Sequence, residues 1–499
     1  MREAAGHLGI GDRLAEGPAP ELIRSAFARE AEYGPLLYGG MSLADLASTV
    51  ASIEAGIVPP AIGARLLQAL LELHDIPAHE FPFDPAGGDA YTNREQALRG
   101  RVSEAADWLA AGRARRESST VGYAIVVRHG LLAVAAALLA AMDTVLERAA
   151  DNVATLMPDY TYLQIAQPTT LAHYLLGFVQ PMTRDLARLR AAFERANRSP
   201  AGIGSTNGSR LPLDRERLAH LLGFDGLVVH ARDAMWQPDG PVEVMATLVA
   251  VLLNLDRLAE DLQLWATAEF NYIELAERHS RSSVIMPHKK NPYGLAYLRG
   301  VARDMIGTLA GTAALQATPS GQVDNRIFTY EAVPRALEQT EGALYLVAGI
   351  IAGMTVNADV MRRRACQEDA GATDLAEAIM LAHNLSPRAA HRLVGHAVRL
   401  AHQTGHRLDA ALLDQATRAV LQQPLTLPDH FIAEQLDPQA IVESRTTIGG
   451  AAREQVGSML ADGHAIVATY RAWVTEQQRR LDAAEHALIE EARRRCQPT

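Results

Sequence analysis

The sequence has few cysteines, few aromatic residues and no long apolar run. Its two cysteines, Cys366 and Cys496, provide no disulfide framework. The longest uninterrupted apolar stretch, Gly130 to Met142, is too short to cross a bilayer. The first residues include Glu3 and Asp12 and lack the apolar centre of a signal peptide. We therefore expect a protein of the reducing cytoplasm with no membrane partner.

An excess of basic charge is also lacking, because the formal net charge is -11 over 499 residues. The basic residues are dispersed along the chain, which argues against nucleic acid as a partner. With 48% apolar residues, the chain can bury a large core divided among more than one domain. Small anionic substrates remain compatible with this charge, because local basic loops suffice to bind them.

Helix-forming residues are abundant: Ala, Leu, Glu and Arg dominate, and only 5% of the residues are aromatic. Apolar residues recur at three- and four-residue spacing over Gly130 to Met157 and over Pro241 to Arg278, which predicts long bundle helices. A third helix is predicted from Pro292 to about Ala317. Val242 to Leu255 is apolar around much of its circumference, which favours oligomerisation. The predicted fold is all-α.

Turn-rich segments near 112–118 and 366–372 divide the chain into three predicted domains. These are an N-terminal helical domain (1–118), a central long-helix domain (119–367) and a C-terminal helical domain (368–499). Irregular segments are the candidate site loops, and they are predicted at Pro82 to Asn93, Ala111 to Ser119, Pro158 to Thr170, Ser199 to Pro212, His230 to Pro241, His279 to Pro292 and Thr318 to Arg326.

One loop, residues 282–292, concentrates chemistry between two prolines that interrupt helical geometry. Lysine charge and backbone N–H groups lower the cost of an alkoxide, so Ser283 is a candidate base. Lys289 and Asn291 are candidates to hold a carboxylate and to stabilise the charge that develops when the adjacent carbon loses a proton. This pattern suits elimination from a succinyl group. The alternative is a solvated polar loop without a catalytic role.

The same loop resembles the signature of the aspartase/fumarase superfamily, whose usual form is Gly-Ser-Ser-x-Met-Pro-x-Lys-x-Asn-Pro. Here Ser282 takes the glycine place and Val284 that of the second serine, while the first serine is kept as Ser283. Further segments resemble argininosuccinate lyase in the same order, over roughly residues 10 to 470: 89–95, 112–115, 157–164, 166–168, 212–217, 221–226, 372–376 and 449–450.

The resemblance implies a homotetramer in which long central helices form a shared bundle and each active site combines loops of three chains. It implies a reversible anti-elimination that releases fumarate through an aci-carboxylate intermediate, with Ser283 as the base. It also implies substrate contacts at Asn93, Arg115 and Thr161, and neither a cofactor nor a metal.

Two departures fall on the proton-transfer machinery of the family. Tyr162 stands where the family has a histidine, and Ala296 stands where it has the glutamate that buttresses this histidine. Loss of both partners avoids an unpaired buried charge, so the change is physically coherent. Tyr162 is either a weak substitute proton donor or a residue that only fills the space of the lost pair.

Other departures concern substrate binding. The family loop Thr-Gly-Arg-Ser-Arg-Asn-Asp-Gln reads Ala-Gly-Arg-Ala-Arg-Arg-Glu-Ser at 111–118, so Arg116 adds positive charge. Arg116 either binds a more anionic or repositioned substrate, or pairs with Glu117 or a neighbouring chain. On the leaving-group side, the run from Gln322 to Tyr330 matches almost nothing in argininosuccinate lyase, which argues against argininosuccinate as the substrate. Gln322 and Tyr330 are candidates to contact a less polar amine, unless Tyr330 is simply a core residue.

The leading hypothesis is a C–N lyase that releases fumarate from another N-succinylated amine or amino acid. His288 in the run Met-Pro-His-Lys is similar to the same position of the adenylosuccinate lyases and carboxymuconate cycloisomerases. An activity of that kind, on a succinyl-nucleotide or lactone substrate, is therefore an alternative. A catalytically silent structural or regulatory tetramer is a further alternative, because the histidine–glutamate pair is missing. The sequence identifies neither the amine nor the physiological direction.

Overall fold

The computed structural model describes residue 14 and residues 16–321, 326–425 and 427–496. For residues 368 and 369 it describes the backbone only. Helices dominate these residues, which confirms the all-α prediction. The only strands among them are three short antiparallel pairs.

The first third of the chain leads through short helices into the longest bundle helix. Helix α1 (Pro20–Leu22) continues through a π-helical turn (Ile23–Phe27) into α2 (Ala28–Glu54). Then follow α3 (Pro60–His74), a 3-10 turn (Pro85–Gly87), α4 (Ala90–Val102), a 3-10 segment (Ser103–Ala110) and α5 (Arg115–Ala150).

The middle of the chain contains all three strand pairs and most of the bundle. Its elements are β1 (Leu156–Thr161), β2 (Gln164–Thr170), α6 (Leu171–Ala196), α7 (Arg215–Leu221), α8 (Ala231–Met235), α9 (Asp239–Trp265), β3 (Ile273–Glu274), a 3-10 turn (Glu277–His279), β4 (Arg281–Ser282), β5 (Lys290–Asn291), α10 (Tyr293–Leu315), α11 (Arg326–Gly353) and β6 (Thr355–Val356). Strand β1 pairs with β2, β3 with β6 and β4 with β5.

The described residues after 357 form helices joined by loops. The elements are α12 (Ala358–Ala365), a 3-10 turn (Glu368–Gly371), α13 (Ala372–His383), α14 (Pro387–Thr404), α15 (Ala410–Leu421), α16 (Asp429–Gln435), α17 (Pro438–Ser444) and α18 (Arg453–Arg495).

Five long helices form the central bundle, in which α5 packs against α6 and α11, and α9 packs against α6, α10 and α11. The Ala- and Leu-rich stretch of α5 supplies strong helix formers, and its small side chains allow close packing of neighbouring helices. Leu131, Ala135, Leu138 and Met142 are all fully buried in the largest core cluster. The bundle core therefore rests on the part of the sequence with the longest apolar run.

The two next-largest apolar clusters lie outside the bundle. One joins α2, α3 and α4 to the end of α18 through Leu488 and Ala492. The other is formed by helices between Leu375 and Ile432. Helix α18 also contributes Val456, Val467 and Leu481 to the bundle core. The division at 118 and 367 stays a prediction, and α18 packs against α2, α3, α5 and α6 rather than only against its own predicted domain.

Several predicted boundaries were wrong. The helix predicted over Gly130 to Met157 runs from Arg115 to Ala150, and the one predicted to end at Arg278 ends at Trp265. The segment from Pro158 to Thr170, predicted as irregular, is the β1–β2 hairpin. The helix predicted after Pro292 is confirmed as α10.

The apolar circumference of α9 is mostly used within the chain. Val244, Leu248 and Leu252 are buried, whereas Leu253 is 42% exposed. The argument for oligomerisation from Val242 to Leu255 is therefore weaker than the sequence suggested. The exposed surface of α10 is stronger evidence for oligomerisation.

Two helical stretches, Pro20–Glu54 and Arg115–Ala150, are long and apolar enough to span a membrane by length and composition alone. Within the protein, 83% and 67% of their most apolar windows are buried. Core helices of this kind meet the same criteria, so the result is weak evidence for a membrane span. The cytoplasmic location stays a prediction.

Candidate active site

The signature loop is held at its base by the short β4–β5 pair. Arg281 pairs with Asn291, and Ser282 pairs with Lys290. The side-chain amide of Asn291 donates to the carbonyl of Arg281 at 2.9 Å, which closes the base of the loop. Helix α10 begins directly afterwards, at Tyr293. The polar residues thus extend from a fixed base at the start of a bundle helix.

Within the loop, Ser283 forms a local turn. Its Oγ accepts a hydrogen bond from the backbone N–H of Met286 at 3.1 Å. A donor aimed at this oxygen favours the alkoxide over the neutral hydroxyl, as the role of a base requires. The loop tip is open to solvent, with Val284 and Ile285 almost fully exposed. Exposed apolar residues at a loop tip suggest that another surface covers them.

The two lysines of the loop differ in their contacts. Lys290 donates to Glu274 Oε1 at 2.6 Å and is therefore held by its own chain. Lys289 is exposed beside it, and its backbone N–H donates to the carbonyl of Met286. This arrangement favours Lys289 as the lysine that meets an anion, as the sequence predicted.

The arginine loop, residues 111–118, turns at Gly112 (φ +66°) into the first turn of α5. Each of its three arginines pairs with an acidic residue, which for Arg113 is Asp45. Arg115 Nε lies 3.1 Å from Asp89 Oδ2, and Arg116 lies 3.6 Å from Glu30 Oε2. Arg116 is thus in an ion pair with Glu30, whereas Glu117, one of the two partners that the sequence left open, binds the backbone of another loop.

A buried charge network that sequence reasoning missed fixes this loop. Asp45 accepts hydrogen bonds from Arg113 at 2.6 Å, Ser118 at 2.9 Å and Arg94 at 3.1 Å. All four side chains are almost completely buried. One feature of the sequence indicates this network. Asp45 is the lone charged residue in the apolar or small-residue stretch from Met41 to Ala47 of α2.

Glu117 ties the arginine loop to a second loop. Its carboxylate accepts the backbone N–H groups of Gly202 at 2.9 Å and Gly204 at 3.0 Å. Burial raises the pKa of Glu117, although Arg113 and the two amides oppose this effect. The backbone N–H of Ala114 donates to Gly204 at 2.8 Å in the same contact. The glycine-rich run 202–208 is therefore a structural support for the arginines.

The β1–β2 hairpin presents Thr161, Tyr162 and Leu163 at its tip. Tyr162 is fully exposed, and both Tyr162 and Leu163 have positive φ angles, of +54° and +58°. Such angles are costly for residues other than glycine or asparagine. The hairpin is anchored against α12 and α17. Its tip is a strained element in which Tyr162 contacts none of the described residues closely enough to be shielded from solvent.

Asn93 was predicted to contact substrate, but its amide is engaged in structure. Its Oδ1 accepts from the N–H of Asp84 at 2.8 Å, and its Nδ2 donates to the carbonyls of Asp84, Gly88 and Asp89. Only 6% of the residue is exposed. The structure therefore favours a role in shaping the segment that carries Asp89.

Tyr330 was predicted to contact the amine, but it is fully buried. Its hydroxyl lies 3.2 Å from that of Thr120, and its ring packs against Tyr33, Tyr123 and Trp236. The helical register of α11 turns this tyrosine into the core, which corrects the prediction. Gln322, the other residue proposed on this side, lies outside the described residues.

The signature loop, the arginine loop and the hairpin pack on different parts of the chain. The first leads into α10, the second lies against α2 and residues 202–204, and the third lies against α12 and α17. Among the described residues, no group of three or more His, Cys, Asp or Glu side chains suits a metal ion.

A central bundle of long helices with the Ser283 loop at the start of one of them defines a predominantly helical lyase of the aspartase/fumarase superfamily. The family profile described as Lyase matches residues 20–307, and that described as argininosuccinate lyase C-terminal matches residues 369–443. The chain therefore belongs to the Lyase family, on its argininosuccinate lyase-like branch.

Individual relatives agree with this assignment. Argininosuccinate lyase of Methanoculleus marisnigri is 34% identical over 91% of this chain and 92% of its own length. The enzyme of Nocardia farcinica is 34% identical over 93% and 97%. Among solved structures, an EDDS lyase variant with bound fumarate has a TM-score of 0.87 at 27% identity and covers 99% of this chain and 98% of its own.

Proposed function

We propose that this protein is a carbon–nitrogen lyase that catalyses the reversible anti-elimination of fumarate from an N-succinylated amine or amino acid. The carrying observation is the retained Ser283 loop, in which a backbone N–H donates to the serine oxygen beside the exposed Lys289. Membership in a family whose curated relatives are argininosuccinate lyases supports the reaction class. The bound fumarate in the similar EDDS lyase structure supports the product.

In this proposal, Ser283 removes a proton from the carbon beside one carboxylate of the succinyl group. Lys289 and Asn291 stabilise the dianionic intermediate, in which two negative charges share the former carboxylate. Arg115, Arg116 and Thr161 hold the other end of the succinyl group, and Tyr162 adjoins the departing nitrogen. Expulsion of the nitrogen then gives fumarate and the free amine. No step requires a cofactor.

We further propose that the amine is not the one released from argininosuccinate. The residues from Gln322 to Tyr330 differ from the corresponding run of argininosuccinate lyase. Near the start of α11, Glu331 already pairs with Arg29 and Arg335. An acid that two arginines already engage is poorly placed to bind a guanidinium group.

We propose a homotetramer in which the site combines loops from three copies. Helix α10 supports this, because Tyr297 and Ile306 are 50% and 45% exposed on a helix that otherwise packs into the bundle. Gly300, Gly307 and Gly311 on the same helix face open space, where a Cβ would meet nothing within 4 Å. Small residues on an exposed helix permit close approach of another helix.

The test is to incubate the protein with fumarate and a panel of amines, following loss of fumarate absorbance and formation of the N-succinyl adduct by mass spectrometry. We expect Ser283→Ala to lower turnover by about 10²-fold or more, because a positioned base contributes on that scale. Ser280→Ala is the matched control, since this hydroxyl donates to the carbonyl of Ala276 in the same chain. Unchanged turnover in Ser283→Ala would remove Ser283 as the base. Absence of turnover with every amine would favour a silent tetramer.

A further inference from the structure

Two acid–arginine pairs lie side by side at the start of α5. Arg115 meets Asp89, and Arg116 meets Glu30. The arginine side chains are 42% and 15% exposed, whereas those of Asp89 and Glu30 are 5% and 6% exposed. Both arginines proposed to bind substrate carboxylate are therefore already neutralised from the protein side. A substrate carboxylate that binds Arg116 must compete with Glu30.

The two acids are not equivalent. Asp89 caps α4, because its Oδ1 accepts from the backbone N–H and the hydroxyl of Thr92, both at 2.8 Å. Glu30 has no such helix-capping duty. Its Oε2 accepts a hydrogen bond from the hydroxyl of Tyr33 at 3.3 Å and otherwise faces Arg116. Glu30 can therefore exchange partners without loss of a helix cap.

The surroundings of Glu30 favour a carboxyl that gains a proton. Burial raises the pKa of Glu30, and the nearby charge of Asp89 raises it further. Arg116, the hydroxyl of Tyr33 and Arg115 oppose this rise. Tyr330 of α11 completes the surroundings through its ring contact with Tyr33. If a substrate anion binds Arg116, Glu30 loses the positive charge that most strongly lowers its pKa.

We propose that Glu30 is the proton donor to the departing amine, released from its ion pair with Arg116 when a substrate carboxylate takes that arginine. This inference rests on the proposed function. It supplies an acid to a chain in which Tyr162 and Ala296 have replaced the family's histidine and glutamate. A protonated carboxylic acid is a far stronger donor at neutral pH than a tyrosine hydroxyl.

Two protons move in this step, one from carbon to Ser283 and one from Glu30 to nitrogen. Ser283 takes the proton from carbon, and the electrons of that C–H bond become the C=C bond of fumarate. The C–N bond breaks, its electron pair stays on nitrogen, and nitrogen takes the proton from the Glu30 carboxyl. The amine leaves neutral, and Glu30 becomes a carboxylate that pairs again with Arg116 when fumarate departs. Ser283 gives its proton to water, and Glu30 takes up a proton again when the next substrate carboxylate binds Arg116.

Binding of a dicarboxylate gives a first test that needs no turnover. Titration calorimetry with succinate, in two buffers of different ionisation enthalpy between about pH 6 and 9, measures protons taken up on binding. We expect wild type to take up close to one proton per site in part of this range. Glu30→Gln should bind succinate at least as tightly, since the competitor of Arg116 is neutral, but without proton uptake.

Glu32→Gln is the matched control, because Glu32 is an exposed glutamate on the same helix, α2. It should keep the wild-type proton uptake. Succinate binding without proton uptake in wild type would overturn the role of Glu30 and leave the proposed function intact. If neither succinate nor fumarate bound, the proposed function would fail, and this inference with it.

The leaving-group dependence gives a second test, which a purely structural Glu30 would not pass. For N-succinyl alkylamines, whose nitrogen needs a proton to depart, we expect Glu30→Gln to lower kcat by about 10²-fold. For N-succinyl arylamines, which depart more easily without an acid, the loss should stay below about 10-fold. The wild-type kcat for alkylamines should fall as pH rises through the pKa of bound Glu30, and the variant should lack this fall. Equal losses for both substrate classes would contradict proton donation.

Discussion

Asp45 is a single carboxylate that serves two buried arginines. Its side chain lies between Arg94 of α4 and Arg113 of the arginine loop and is 1% exposed. Burial of charge is costly unless each ion is paired and hydrogen-bonded. Asp45 therefore maintains the shape of the loop that presents Arg115 and Arg116.

We expect Asp45→Asn to lower the free energy of unfolding by roughly 3–5 kcal/mol, because it leaves two guanidinium groups buried without their counter-ion. Chemical denaturation measures the loss. Asp107→Asn is the control, since Asp107 pairs with Arg99 at the surface, where both side chains are about half exposed. That change should cost less than ~1 kcal/mol. Losses of equal size would show that the Asp45 network is no more than a surface pair.

The proton-transfer residues show what one sequence can predict at this scale. Ser283, Lys289 and Asn291 stand out because their order in a proline-bounded loop is itself the signal. The pairing of Arg116 with Glu30 joins residues far apart in sequence, and no local pattern reveals it. For Tyr330 the sequence left open both a substrate contact and a core position, and α11, which begins at Arg326, directs this side chain into the core.

At the scale of elements, the β1–β2 hairpin is the most unusual. A two-residue turn with positive φ at both positions normally carries Asn-Gly, but here it carries Tyr162 and Leu163. Backbone strain of this kind persists where the surrounding structure or a function requires it. The exposed aromatic ring at the tip fits an element that docks on another copy of the chain.

We expect Tyr162→Phe to retain kcat within about 3-fold, because the proton comes from Glu30 in our proposal and the ring is kept. Tyr162→Ala should instead raise KM, because the aromatic surface of the tip is lost. Steady-state kinetics on the two variants separates these effects. A large fall of kcat in Tyr162→Phe would return the role of proton donor to this tyrosine.

The limits of the sequence are clearest at the ends of elements. The charges at 113–117 predicted a loop through Ser119, yet α5 begins at Arg115. Asp45 neutralises Arg113, and Glu117 binds the backbone N–H of Gly202, so these charged residues are held within the fold. The hairpin was missed because Pro158 and Pro168 suggested irregular backbone, whereas they lie opposite each other in its register. Helix α10 was predicted well because Pro292 marks its start within the sequence itself.

At the scale of the whole molecule, the exposed surface of α10 bears on assembly. Gly307 is exposed, and a Cβ there would meet nothing within 4 Å. A larger side chain at this position therefore leaves the fold of one chain undisturbed. In a bundle shared among copies, the same side chain would hold neighbouring helices apart.

We expect Gly307→Leu to convert the proposed tetramer into smaller species, as measured by light scattering after size-exclusion chromatography. Gly395→Leu in α14 is the control, because a Cβ at Gly395 also meets open space. Both substitutions favour helix formation, so circular dichroism should remain unchanged. A variant with wild-type mass would show that α10 is not at the interface.

Helix α18 runs from the bundle core to the cluster of α2, α3 and α4, with Val456, Val467 and Leu481 in the first and Leu488 and Ala492 in the second. A helix shared in this way couples the melting of the two regions, because neither can open without exposing part of the other. They should therefore unfold as one cooperative unit. The cluster between Leu375 and Ile432 includes no residue of α18 and is free to open separately, as a foldon of lower stability.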